Sequence, residues 1–216
     1  MPFSYLKFMR KSFKILTTLI ITLISSTCWS ETISINDLVK IEDHYHHKLS
    51  GNLFTGSVSG RHSGEILKGK KVGRWVEYNV ISEVTDIGNY LDGLREGEWK
   101  QFFEPNDQLS RIAHFKNGRL DGPMEKYHVN GNLISRVTFQ RECLAGLGEF
   151  FYPNGNIKSR GQYKNLEMDC LSLKSRGEYE GIILFHNGKK DGKWSYYSVL
   201  GELEKLEVWE DGVQLK

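Results

Sequence analysis

The sequence predicts an all-β protein: an elongated single-layer antiparallel β-meander of roughly seven tandem β-hairpins, each about 24 residues long. Three observations carry this expectation. Aromatic residues recur at a near-constant spacing, glycines recur at fixed offsets from them, and the residues between alternate with period two. Composition agrees. The 22 Gly and 12% aromatic residues, beside only 4 Pro, suit short strands joined by tight turns, and 26% charged residues suit a folded chain.

Residues 1–30 stand apart. Lys7, Arg10, Lys11 and Lys14 form a basic start without an acid, and Ile15 to Ile24 is an apolar run of about ten residues. Ser25-Ser26-Thr27-Cys28-Trp29-Ser30 follows, with Cys28 and Ser30 at −3 and −1 of a cut before Glu31. That order predicts a secretory signal peptide and export, to a bacterial periplasm or the outside. A membrane span needs about 20 apolar residues, so the alternative is a short uncleaved anchor. Cleavage removes four basic residues and no acidic one. The net charge passes from +2 to −2, which leaves no basic stripe for nucleic acid.

Residues 31–50 read as an N-terminal cap or linker. Within it, Glu42-Asp43-His44-Tyr45-His46-His47 holds residue types that ligate Zn²⁺ or Cu²⁺. A solvated polar stretch is the expected role, and no metal or other cofactor is expected. His62, His114, His128 and His186 share no repeat position.

Residues 51–216 carry the repeats. An aromatic closes each copy: Tyr90, Phe115, Phe139, Tyr163, Phe185 and Trp209, with Ile66 in an earlier copy. Seven residues later stands a glycine: Gly73, Gly97, Gly122, Gly146 and Gly192. Two residues beyond it Trp recurs, as Trp75, Trp99 and Trp194. Five beyond it is always an aromatic: Tyr78, Phe102, Tyr127, Phe151 and Tyr197. Two turns per copy are expected. One runs from Asp92-Gly93 through Gly97, and from Asn117-Gly118 through Gly122. The other centres on Asn130-Gly131 and Asn154-Gly155. Asn-Gly suits a turn with positive φ at both central residues. Between turns, Leu133, Ser135, Val137 and Phe139 share one face, as do Ile157, Ser159, Gly161 and Tyr163. Gly88, Ala113, Val137 and Gly161, two before the closing aromatics, leave gaps that neighbouring rings can cover.

The copy between Tyr163 and Phe185 is degenerate, and its turn carries Cys170 where glycine belongs. The preceding copy has Gln140-Arg141-Glu142-Cys143 in place of Asn-Gly. Two cysteines remain after cleavage in an oxidising compartment, which predicts a Cys143–Cys170 disulfide. Equivalent points of adjacent hairpins lie about 10 Å apart, so irregular loops must bring the pair together. Free buried thiols are the alternative.

These landmarks resemble the MORN repeat (membrane occupation and recognition nexus), in its bacterial variant. The fullest copy is Asn187-Gly188-Lys189-Lys190-Asp191-Gly192-Lys193-Trp194, and the resemblance covers about residues 50–216. The stricter eukaryotic pattern is only partly met, so phosphoinositide binding is not carried over. The resemblance implies the repeat fold and a non-enzymatic binding or scaffolding role. It also brings an antitoxin-like or immunity label, whose cytoplasmic partner conflicts with the export signal.

The expected function is protein–protein interaction or envelope scaffolding through the sheet face, with a protein partner. Tyr78, Phe102, Tyr127, Phe151 and Tyr197 are the candidate interaction face. The alternative is cell-wall glycan binding by those rings. Asp92, Asp121, Asp191 and Asp211 recur in turns; paired carboxylates can hydrolyse glycosides, but Asp before Gly is also plain turn chemistry. No active site is expected.

Overall fold

The computed structural model describes residues 31–164 and 188–216. Residues 1–30, where a signal peptide is expected, Phe185 to Asn187, and Cys170 lie outside the described residues. The strands are β1 (Glu31–Ser34), β2 (Leu38–Ile41), β3 (His44–His47), β4 (Gly56–Ser59), β5 (Ser63–Leu67), β6 (Lys70–Asn79), β7 (Val84–Leu91), β8 (Leu94–Phe103) and β9 (Gln108–Lys116). They continue as β10 (Arg119–Tyr127), β11 (Leu133–Gln140), β12 (Cys143–Leu144), β13 (Gly146–Phe151), β14 (Ile157–Lys164), β15 (Lys189–Tyr197), β16 (Leu203–Glu210) and β17 (Val213–Leu215). Fifteen of them form one sheet, and β2 and β3 form a small second one. From β4 onward each strand lies antiparallel beside its chain neighbour, as a meander requires, except that short β12 and β13 both pair with β11.

Two features depart from expectation. The sheet is not wholly antiparallel, because β1 pairs with β4 in parallel. The copy between Tyr163 and Phe185 lies almost wholly outside the described residues, and β14 and β15 on either side of it are direct neighbours. Lys164, which ends β14, pairs directly with Lys189, which begins β15.

The glycine seven after each closing aromatic does not belong to a turn. Gly73, Gly97 and Gly192 sit inside long strands at φ of 64°, 71° and 68°. There the register slips: Ile87 faces Lys100 but Asn89 faces Glu96, so Gly97–Trp99 all oppose Gly88. This is an enlarged β-bulge, and glycine supplies its left-handed residue. The true turns are shorter. Asp92-Gly93, Asn117-Gly118 and Asp211-Gly212 have positive φ at both residues. At Asn130-Gly131 and Asn154-Gly155 only the glycine does, which corrects the expectation for that pair. Arg141 and Glu142 hold the two-residue positive-φ turn without a glycine, at 51° and 72°.

The bulge serves the Trp. Each Trp lies across the small residue of the preceding strand. A Cβ on Gly64, Gly88 or Gly161 would come within 2.4, 2.2 and 2.2 Å of Trp75, Trp99 and Trp194. Each indole Nε1 then donates to the next carbonyl, of Glu65, Asn89 or Gln162, at 3.0–3.1 Å. The buried ring thus leaves no unpaired N–H. Where the small residue is Ala113, the partner shrinks to Met124; where it is Val137, the partner position is Gly148. The larger the small residue, the smaller the partner laid across it.

Closing aromatics stand edge-on between the indoles. Trp75–Tyr90, Tyr90–Trp99 and Trp99–Phe115 have centroids 6.1, 5.1 and 6.3 Å apart, all T-shaped, the favoured geometry for ring quadrupoles. Trp75 is 0% exposed. Gly64 beneath the ring, Tyr90 at its edge, Lys71 over it and the residues of the N-terminal cap together cover it. Leu38, Phe54 and Val58 continue the core past Ile66 and so cover its N-terminal end.

Candidate functional site

On the face opposite the Trp column lie the five rings of the candidate interaction face. Three residues separate each from its Trp position, an odd step that reverses the side in a strand. Tyr78, Thr85 and Phe102 stand in direct register on that face. All five rings are half-buried. Arg61 packs over Tyr78 at 4.7 Å, Arg160 over Tyr197 at 5.9 Å, and the Tyr127 hydroxyl bonds Glu125. Burial and that carboxylate push the Tyr127 hydroxyl up to about 12.

A groove of about 580 Å³ opens on this face. Arg61, Val76, Tyr78, Glu83, Thr85 and Glu104 are among its walls. Thr85 donates its hydroxyl to Glu104 at 2.5 Å.

The Trp face holds a feature that the sequence reading missed. Four residues before each Trp stands a cation. Lys71 Nζ lies 4.2 Å from the Trp75 ring, the Arg95 guanidinium 4.0 Å from Trp99, and Lys190 Nζ 4.5 Å from Trp194. In the copies without Trp the same position is Leu120 or Leu144. A basic residue four before Trp75, Trp99 and Trp194 was the available signal, and its alternation with Leu marks a cation–π role. The cations converge on carboxylates. Glu77 meets Lys71 at 2.5 Å, Arg95 at 2.8 Å and the Tyr90 hydroxyl at 2.9 Å. Burial pushes the Glu77 carboxyl up, but Lys71 and Arg95 outweigh it and hold the group below the usual range. Burial, then Glu77, drives the Tyr90 hydroxyl well above its ordinary value. At the far end Glu207 accepts from Tyr196 at 2.6 Å and Trp209 at 2.9 Å and pairs with Lys205 at 2.7 Å. Lys205 and Tyr196 draw its carboxyl down to about 2.

The histidines expected in a cap segment form β3, half-buried against β2. His44 and His46 place Nδ1 2.8 and 2.9 Å from the carbonyls of Glu42 and Gly51, and His47 Nδ1 accepts from the Leu49 amide. Among the described residues no three His, Cys, Asp or Glu side chains gather as metal ligands. Asp92 and Asp211 occupy their turns and pair with Lys70 at 2.9 Å and Lys164 at 2.8 Å, linking neighbouring copies. Cys143 is buried and disulfide-bonded. Its expected partner, Cys170, lies outside the described residues.

A family model described as a MORN repeat variant matches residues 120–141 and 144–165. These spans run from β10 through β14, the stretch in which Met124 and Gly148 replace Trp. A search of curated proteins found no match. Two solved structures of a much larger protein show slight likeness. The crystal structure of TarM is 13% identical, with a TM-score of 0.18, over 67% of this chain and 22% of that one. A mutant of S. aureus TarM in complex with fondaparinux, alpha-GlcNAc-glycerol and UDP is 11% identical, at the same coverage and TM-score. The chain spans about a fifth of their length, and at that TM-score the likeness bears on neither fold nor function.

Proposed function

We propose that the chain is an exported, non-enzymatic scaffold that binds a protein partner along the face opposite the Trp column. One observation carries this reading: Tyr78, Phe102, Tyr127, Phe151 and Tyr197 recur on that face, one per copy, each with part of its ring in water. Successive copies set them about 10 Å apart, a spacing that an elongated partner can follow along a repeat array. Half-exposed aromatics framed by charges are the residue types that dominate binding energy at interfaces. The Trp face, by contrast, uses its rings and ions on each other. The repeat family matched in part supports a binding role over a catalytic one.

Replacing Phe102 by a photo-crosslinking phenylalanine in the full chain, in its native envelope, tests this. A discrete crosslinked protein, lost in Tyr127→Ala with Phe151→Ala, is expected. Crosslinks spread evenly over abundant proteins and unchanged by the substitutions would refute it.

The groove beside Tyr78 favours a second reading, a glycan ligand. A ring flanked by the Glu83 and Glu104 carboxylates and the Thr85 hydroxyl suits stacking on a sugar with hydrogen bonds at its rim. Retention on purified peptidoglycan, lost in Tyr78→Ala, would replace the protein partner by this one.

A further inference from the structure

The five rings on the face opposite the Trp column are more regular in space than in sequence. From Tyr78 to Tyr197 they are 24, 25, 24 and 46 residues apart along the chain. Their strands are β6, β8, β10, β13 and β15, and the sheet runs β6-β7-β8-β9-β10-β11-β13-β14-β15. One strand therefore separates each ring from the next throughout. The ladder of rings is unbroken even where the sequence interval doubles.

The pairing register singles out the same rings. It slips beside Phe102, Tyr127, Phe151 and Tyr197, which pair with Leu109, Leu133, Ile157 and Leu203. A bulge re-aims the side chains next to it. Enclosure of the Trp column does not require these slips. β6 pairs with β7 in unbroken register at Tyr78, and Trp75 is as deeply buried as Trp99 and Trp194. The recurring bulge thus serves the rings, each of which keeps part of its surface in water.

Their period selects among linear partners. Neighbouring strands lie about 4.8 Å apart, so the rings recur about every 9.6 Å and span about 38 Å. A partner lying across the strands must present a side chain at that interval. An extended strand does not, because its third residue, about 10 Å on, points to the opposite side. An α-helix comes round after seven residues, about 10.5 Å, and over four intervals overruns the last ring by about 4 Å. A polyproline II helix has three residues per turn and advances about 9.3 Å, so over the same intervals it departs by only about 1 Å. Aromatic-lined surfaces are also what such helices dock on, since they enter already extended and ordered.

Charge distinguishes the two ends of the ladder. Two carboxylates, Glu83 and Glu104, and one guanidinium, Arg61, wall the groove at Tyr78. Among the described residues neither carboxylate is ion-paired. Midway, Glu125 and Glu149 are both held by Arg136. At the other end Arg160 stands 5.9 Å from the Tyr197 ring. We propose that the ring ladder docks a proline-rich segment of a partner protein in the polyproline II conformation, with one residue in three facing a ring, a basic end over the Tyr78 groove and an acidic end beside Arg160. This rests on the reading of that face as a protein-docking surface and names the partner's conformation.

The test uses the full chain and three labelled peptides: Lys-(Pro-Pro-Leu)₄-Glu, the same residues with the leucines moved off the period of three, and a helix-forming peptide of four heptads with leucine every seventh residue. Fluorescence anisotropy should show the first binding at least about tenfold tighter than the other two. This comparison needs no protein variant. Phe102→Ala with Phe151→Ala, its sheet verified by circular dichroism, should weaken the first peptide about tenfold. Glu83→Gln with Glu104→Gln should weaken it about threefold and leave a version with Gln at both ends unchanged. Equal binding by the irregular peptide, or no binding by the regular one, would overturn the proposal. Tighter binding by the helical peptide, lost in the ring variant, would overturn it as well but leave the face a docking surface. Evenly spread crosslinks from position 102 would remove that underlying reading itself.

Discussion

Gly88→Ala adds one methyl group to the middle of β7. The backbone there is ordinary extended strand, so the cost is steric. The new Cβ would sit 2.2 Å from Trp99 Cδ2 and 2.3 Å from Cε2. Carbon atoms rest at about 3.5 Å or more, so the ring must retreat by roughly 1.3 Å. It has little freedom to do so. Trp99 is 2% exposed, its Nε1 donates to Asn89 at 3.1 Å, and Tyr90 and Phe115 hold its edges. Overpacking costs about 1–3 kcal/mol, and stranding a buried donor costs about as much again. A net loss of about 3 kcal/mol follows, equivalent to a Tm lower by about 6–12 °C for a domain of this length. The protein itself contains the remedy, since Ala113 packs against Met124. Trp99→Met alone should cost about 2–3 kcal/mol as a cavity. Combined with Gly88→Ala, it should recover about 2 kcal/mol relative to additivity. Urea unfolding of the four proteins, followed by circular dichroism, completes the cycle. A Gly88→Ala protein within about 0.5 kcal/mol of the parent, or strictly additive effects, would refute the fitting of indole to glycine.

Three further outcomes are expected. The Glu77 carboxyl is depressed in the folded state, so its contribution is complete above its ordinary value of 4.5 and is lost as pH falls through the lower folded value; melting curves from neutral to acid pH should therefore fall less steeply in Glu77→Gln, which is already destabilised at neutral pH because Lys71 and Arg95 lose their counter-charge. Lys68 precedes Gly69 in a two-residue turn at φ of 47°, so Lys68→Asn should raise stability by about 0.5 kcal/mol in urea titrations, because asparagine tolerates that conformation better. Non-reducing peptide mapping of the purified protein should recover Cys143 joined to Cys170, and a Cys143 peptide bridged to any other thiol would exclude that pairing.

Much of the fold was legible because it is repetitive. A landmark that recurs copy after copy reports one local geometry many times, which is why the strands, the aromatic columns and the covering of Gly88 and Gly161 by rings could be anticipated. The role of Gly97 could not. A left-handed glycine in a turn and one in a bulge look alike in sequence, and only the pairing of β7 with β8 separates them. The cations Lys71, Arg95 and Lys190 were overlooked because lysine and arginine on a half-buried strand ordinarily mean solvent. Their four-residue offset from Trp has meaning only once the bulge swings that ring under them.

Period and composition thus determined by themselves that this chain is a meander of hairpins with one small residue reserved for each large ring. Those are local facts, set by backbone conformation and side-chain volume within neighbouring strands. Tertiary structure alone decided which face is enclosed, that β14 pairs with β15, and that Glu207 takes the small-residue position opposite Trp194. Side-chain enclosure and long-range pairing depend on contacts between residues far apart in the chain, and no single repeat contains them.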